Sequence, residues 1–169
     1  YLPEEALNHA DAVVVGEGDR IWKEVIRDFR ESTWRKIYRD DHPICLSEIN
    51  VPKRELIKNK GYLFTNTIQT TRGCPFQCEF CSVSSFFGRT YRTRPVALVI
   101  RELAALRQKS VFLFLVDDNL VGNRPYAKAL FQEMIPLKFK WASHAPLNFV
   151  NDDESVSYTH LRAHETVLD

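Results

Sequence analysis

The chain has 169 residues, of which 44% are hydrophobic and 27% charged, and its formal charge is +1. That length holds one ordinary domain or parts of two, and the composition is that of a folded chain rather than a disordered one. A near-neutral balance gives no electrostatic reason to expect nucleic acid or an acidic membrane surface, and the longest apolar run, Val111 to Val116, is too short to be a transmembrane segment.

Taken in chain order, the sequence starts at Tyr1 in what reads as the middle of a domain, so truncation is expected. Ala12 to Gly16 is an apolar run ending in glycine, the pattern of a buried parallel strand. Asp19 is placed to cap a following helix, on which Ile21, Trp22, Val25, Ile26 and Phe29 fall at helical spacing. Gly16-Glu17-Gly18 lacks the third glycine of a dinucleotide loop and reads better as a strand-to-helix turn. Residues 31–61, with Pro43, Pro52 and many charges, read as a linker with a short extended piece at Arg35–Arg39. Cys45, between Ile44 and Leu46, reads as a small buried hydrophobe.

Tyr62 to Thr70 is rich in β-branched and aromatic residues, and this strand pattern leads directly into a cysteine loop. Two strand–helix repeats follow. Pro95 opens a helix with Val96, Val99, Ile100, Leu103 and Leu106 on one face, and Val111–Val116 then reads as a strand covered on both sides. Asp117-Asp118-Asn119 ends that strand. Pro125 opens a second helix with Ala127, Leu130, Phe131, Met134 and Ile135 inward, and Phe139–Ala142 is a third strand. Alternating β and α at this spacing predicts an α/β fold, either a barrel or a doubly wound sheet, with functional groups at the C-terminal ends of strands.

The chemistry concentrates in Cys74-Pro75-Phe76-Gln77-Cys78-Glu79-Phe80-Cys81, which holds three of the chain's four cysteines. Thiols clustered this way point to a metal site in a reducing compartment rather than to a disulfide scaffold. Three thiolates on one short loop can grip three irons of a cubane cluster and leave the fourth iron open. An electron-transfer iron–sulfur protein or a structural zinc module would want a fourth protein ligand, and Cys45 lies outside the loop. Both remain alternatives. An incomplete ligand set implies that a substrate or cofactor completes it.

The Cys-x3-Cys-x2-Cys spacing with Thr71-Arg72-Gly73 before it resembles the radical S-adenosylmethionine (SAM) superfamily. The resemblance implies that Cys74, Cys78 and Cys81 bind a 4Fe–4S cluster, that SAM chelates the open iron, and that reductive cleavage yields a 5′-deoxyadenosyl radical. It places Phe80 against the adenine. Asp117, Asp118 and Asn119 stand where the family often carries Gly-Gly-Glu for the methionyl amine. Asp-Asp-Asn departs from that pattern but resembles the cobalamin-binding branch, as do Arg92 and Arg94. A cofactor carboxylate, a neighbouring carboxylate or solvent could equally take these two arginines. Trp141, His144 and Asn148 lie at or beyond the third strand, where barrel enzymes place ligand contacts, although an isolated histidine there is more often structural.

Residues 1–30 resemble the last strand and helix of a Rossmann-like cobalamin-binding domain, and 62–155 the N-terminal portion of a (βα)6 radical SAM barrel. This implies a cytoplasmic enzyme acting on a small molecule, a cobalamin-dependent methyltransferase among the possibilities, reduced by a flavodoxin or ferredoxin. The fragment alone is expected to be inactive. Finally, Val156 to Thr166 resembles the translation of a sequencing adapter, so 156–169 is expected to be non-native and the four-residue spacing of His160 and His164 carries no metal reading.

Overall fold

The computed structural model describes residues 2–57, 61, 66–107 and 112–160. The chain is a mixed α/β protein of two compact units, Tyr1–Ile49 and Asn50–Asp169.

In the first unit a short helix α1 (Pro3–Ala6) precedes strand β1 (Val13–Gly16), helix α2 (Gly18–Arg30) and strand β2 (Ile37–Asp40). β1 and β2 are parallel, with Val13 opposite Ile37 and Gly16 opposite Asp40. The segment expected to be a linker therefore supplies the second strand, one or two residues beyond the extended piece read at Arg35–Arg39. Gly16 has φ +97°, and a Cβ there would run into the Asp40 carbonyl, so the turn into α2 needs glycine. α2 starts at Gly18 with Glu17 as its N-cap, so Asp19 lies inside the first turn, where its charge favours the helix dipole without capping it.

Arg20 holds both oxygens of Asp40 at 2.9 and 2.6 Å, and the buried Tyr38 hydroxyl donates to Asp28 at 3.1 Å. The apolar stripe expected to face inward on α2 is only partly covered. Trp22 and Phe29 are exposed, because a two-stranded sheet is too narrow to shield the whole face. Cys45 is exposed rather than buried. The chain is extended at this point, so the flanking Ile44 and Leu46 take the inward positions and the Cys45 sulfur shares a hydrogen bond with Ser47.

The second unit is built on a parallel sheet ordered β3 (Thr67–Ile68), β6 (Phe112–Leu115), β7 (Lys140–Ser143). Helix α4 (Val96–Arg107) precedes β6, and helix α5 (Arg124–Met134) connects β6 to β7. Between β3 and α4 the chain makes an antiparallel hairpin of β4 (Thr71–Gly73) and β5 (Tyr91–Thr93), which encloses the cysteine loop and the single-turn helix α3 (Val83–Phe86). Of the strand expected over Tyr62–Thr70, the stretch 62–65 lies outside the described residues.

The helix patterns match the sequence except at Ile135, which was expected to face inward but follows the last residue of α5 and is exposed, because the chain leaves the α-helical path there. Val99, Leu103 and Leu106 of α4 and Ala127, Leu130, Phe131 and Met134 of α5 are buried with Leu113, Leu115 and Phe139 in one core. Asn123 caps α5, its side chain accepting from the Tyr126 amide at 3.1 Å. Strand β6 differs from its reading as a strand covered on both sides. Leu113 and Leu115 are fully buried, but Phe112 is 40% exposed, since helices cover only one face at its first residue. Helix α6 (Asp153–His160) follows, and the Gln132 amide donates to Tyr158 at 2.6 Å; 161–169 lie outside the described residues.

A buried charge cluster locks the sheet edge to α4. Glu102 sits in the core-facing row of α4 and pairs with Arg94 at 2.8 Å and Arg54 at 2.6 Å. Both arginines also cap carbonyls alongside β3, Arg54 at Thr67 (2.5 Å) and Arg94 at Gln69 (3.1 Å). The buried carboxylate is thus fully used, and so is an edge that would otherwise expose unpaired carbonyls. Replacing Glu102 with Ala strands the buried Arg94 and the partly buried Arg54 guanidinium groups, and denaturant unfolding should report a loss of about 3–5 kcal/mol. A loss under about 1 kcal/mol would show that the cluster is solvated.

Candidate functional site

The cysteine loop leaves the sheet at the C-terminal end of β3 and faces the segment that leaves the neighbouring strand β6, as parallel α/β architecture requires of a ligand site. Thr70 and Thr71, fully buried, form the joint between β3 and β4. Asp117 Oδ1 accepts from the Thr70 amide (2.8 Å), the Thr70 hydroxyl (3.1 Å), the Thr71 hydroxyl (2.8 Å) and the Thr71 amide. The buried Tyr126 phenol donates to the Thr70 carbonyl at 3.2 Å, and burial pushes its pKa up to about 12, so it stays a donor throughout the neutral range.

One residue on, Asp118 Oδ2 accepts from the Gly73 amide at 3.3 Å, and Asn119 Nδ2 approaches Cys74 Sγ at 3.6 Å. The three residues Asp117, Asp118 and Asn119 therefore run beside Thr70–Cys74 in matching order. Gly73 is at φ +91°, and a Cβ would collide with the Thr90 carbonyl. The turn before the first cysteine is thus closed to any other residue without strain.

Tyr91 holds the two segments together from β5. Its hydroxyl donates to the Asn119 carbonyl at 2.8 Å, and its ring lies flat enough on Gly122 that a Cβ there would sit 2.8 Å from the ring. Beside it opens a cleft of about 580 Å³ lined by Pro75, Phe76, Tyr91, Val121, Gly122 and Pro146.

Two acceptors in this region are buried with no donor among the described residues, Asp117 Oδ2 and Asn119 Oδ1. Buried oxygens without partners are costly, so a site that keeps two of them is set to receive a donor. Burial raises the Asp117 pKa, against the lowering pull of the Thr71 and Thr70 hydrogen bonds.

All three loop cysteines are free thiols, Cys78 exposed and Cys74 and Cys81 partly so, and the Cys81 amide closes a turn onto the Cys78 carbonyl at 3.0 Å. Among the described residues no three cysteine, histidine or carboxylate groups converge at metal-binding separation, so the structure joins Cys74 to Asn119 but does not gather the three sulfurs. The donor set nevertheless fits an iron–sulfur cluster in kind, with three reduced thiols on one short accessible loop backed by a sulfur-directed amide.

Phe80 is 94% exposed and is not among the residues lining that cleft. Arg94 meets a neighbouring carboxylate, Glu102, rather than solvent. Trp141 stacks on Phe131 at 5.3 Å and His144 packs edge-on to Phe114 at 5.7 Å, which makes both of them packing residues here. The Asn148 side chain lies outside the described residues. Sequence reading passed over Thr70, Tyr91 and Tyr126. Their only signal was position, since polar residues flanking strand ends are ordinary turn composition.

No protein-family model matches the chain. It is 27% identical over 161 residues to bacteriochlorophyllide d C-12(1)-methyltransferase of Chlorobaculum tepidum, covering 90% of this chain and 35% of that protein. It is 30% identical over 164 residues to an uncharacterized methyltransferase of Synechocystis, covering 90% of this chain and 30% of the relative. A third similarity, 27% over 119 residues, is to hopanoid C-2 methylase of Rhodopseudomonas palustris and covers 69% of this chain and 22% of the methylase. The chain therefore spans about a third of the length of the first two relatives. The relatives it resembles thus carry methyltransferase or methylase names.

The raised Asp117 pKa has a defined sign. The folded state binds that proton more tightly than the unfolded state, so it adds stability below the ordinary carboxylate value of 3.8, and this is lost as pH rises through the raised value. Asp117→Asn should remove this falling slope from a plot of unfolding free energy against pH. A slope identical to wild type would place the proton elsewhere.

Proposed function

We propose that this chain is part of a radical SAM enzyme whose cluster is held by Cys74, Cys78 and Cys81, with SAM completing the open iron. One observation carries the reading: the first thiol of an incomplete three-thiol loop adjoins the Asn119 amide, and Asn119 Oδ1 and Asp117 Oδ2, two residues before it, are buried with no donor among the described residues. An ammonium group is a donor of the required charge, and the methionyl amine of SAM carries one. Asp118 stands between them in the chain and accepts the Gly73 amide through Oδ2.

A cluster held there would supply the electron for reductive cleavage of SAM, and so radical chemistry on the substrate. The chain's own residues bind and orient. Cys74 is fixed by the β4–β5 hairpin and by Gly73. Cys78 and Cys81 share one turn of the same loop, and Phe80, exposed between them, would cover the adenine. Tyr91, Pro75 and Val121 line the adjoining cleft and exclude water from one side.

The wider reading follows the relatives' names. The parent is proposed to methylate a small molecule, with a flavodoxin or ferredoxin supplying electrons in the cytoplasm. No helix among the described residues is long and apolar enough to cross a membrane. The parallel β1–α2–β2 unit is compatible with the end of a Rossmann-like cobalamin domain, and the β3–β6–β7 sheet with the start of a (βα)6 barrel. In this reading 156–169 is a non-native tail.

Anaerobic reconstitution with iron and sulfide tests the ligand set. Wild type and Cys45→Ala should turn brown with broad visible absorbance, and Cys74→Ala, Cys78→Ala and Cys81→Ala should lose most of it. A colourless zinc-loaded wild type, or an equal loss from Cys45→Ala, would overturn the reading.

A further inference from the structure

Asn119 is buried and its backbone is held in place by its neighbours. It is 3% exposed, its main-chain carbonyl takes the Tyr91 hydroxyl at 2.8 Å and the Gly122 amide at 3.3 Å, and the preceding Asp118 and Asp117 are tied to Gly73, Thr71 and Thr70. With the backbone pinned at both ends of the tripeptide, the side chain has little freedom to swing. Its Nδ2 points at Cys74 Sγ, 3.6 Å away, while its Oδ1 has no donor among the described residues. Beside a metal-ligating thiolate, which has no proton to give, turning the amide over would set a carbonyl lone pair against the sulfur and leave two N–H groups without that acceptor. The geometry therefore selects N–H toward sulfur.

We propose that Asn119 is a positioning residue for the cluster's first thiolate, donating Nδ2–H to Cys74 Sγ, orienting that ligand and raising the reduction potential of the bound cluster. The inference rests on the cluster reading above and deepens it. Reduction adds negative charge that spreads onto the sulfurs, so a hydrogen-bond donor on a ligand sulfur favours the reduced state. The same amide then has two uses, with Nδ2 serving the cluster and Oδ1 turned to the side from which the cofactor's ammonium would come. No other described residue is placed to do both, because Asp117 and Asp118 carry acceptors alone.

The test is an EPR-monitored redox titration of the reconstituted full chain without SAM, which leaves the ammonium role out of the measurement. Asn119→Leu keeps the volume and removes the donor, and Asn119→Asp removes the donor and adds charge. Asn119→Leu should lower the reduced-to-oxidised ratio at fixed poise by about tenfold, equivalent to about 59 mV for one electron. Asn119→Asp should lower it further. Both variants loading a cluster at the wild-type potential would overturn the inference while leaving the cluster assignment intact. A merely structural role predicts that outcome, with reduced iron content as the only change.

If the variants do not load, the wild type decides. Protein labelled with 15N-asparagine and reduced should show a nitrogen hyperfine coupling to the cluster by pulsed EPR, and its absence overturns the inference. A wild type that assembles no 4Fe–4S cluster removes the proposed function itself, and this inference with it.

Discussion

The second unit depends on one buried carboxylate. Asp117, at the end of the central strand β6, collects the amides and hydroxyls of both Thr70 and Thr71 on a single oxygen. These are the residues where the neighbouring strand turns into the cysteine loop, so the contact converts strand pairing into loop placement. It is a costly arrangement, since burial works against the charge, and the cost is offset only while every donor is present. Asp118 and Asn119 extend the same contact toward Gly73 and Cys74, with the chain direction of β6 setting the order. Parallel pairing of β3 with β6 is what makes this possible, because it brings both strand ends to the same side of the sheet.

Around that contact the unit is stiff at its back and open at its front. The Arg54–Glu102–Arg94 cluster and the apolar core hold β3 and α4 together. The front is different. Cys78 and Phe80 are exposed, and the three sulfurs stand apart. Such a division suits a ligand-organised loop, in which the frame is prepared by the protein and the last turn closes on the ligand. The binding energy of the cluster would then gather Cys78 and Cys81 toward a Cys74 that is already in place.

Much of the second unit was legible in the sequence. The periodicity of α4 and α5, the glycine and proline punctuation, and the run at Val111–Val116 located the strand–helix repeats, and the cysteine spacing pointed to the candidate site. The first unit was less legible. Ile37–Asp40 was legible only as part of an extended piece within a linker, because its charges mask a strand whose buried side chain is the single Tyr38. Cys45 lies between two aliphatics that alternate inward, a period-two effect that local hydrophobicity does not display. The role of Asp117-Asp118-Asn119 was half legible. Their place at a strand end marked them as site residues, but their pairing with Thr70–Cys74 joins segments more than forty residues apart. That pairing arises from strand register, which no local pattern encodes. Glu102 was hidden for a similar reason, since a charge in the apolar row of a helix reads as noise until its arginines are placed.

The central claim is a cluster corner that the protein leaves vacant and SAM fills. Mössbauer spectra of the 57Fe-reconstituted chain, recorded with and without SAM, address it directly. One iron of the four should change its isomer shift and quadrupole splitting on addition of SAM while the other three hold theirs. Four irons indifferent to SAM would contradict the claim and return the loop to a closed electron-transfer cluster.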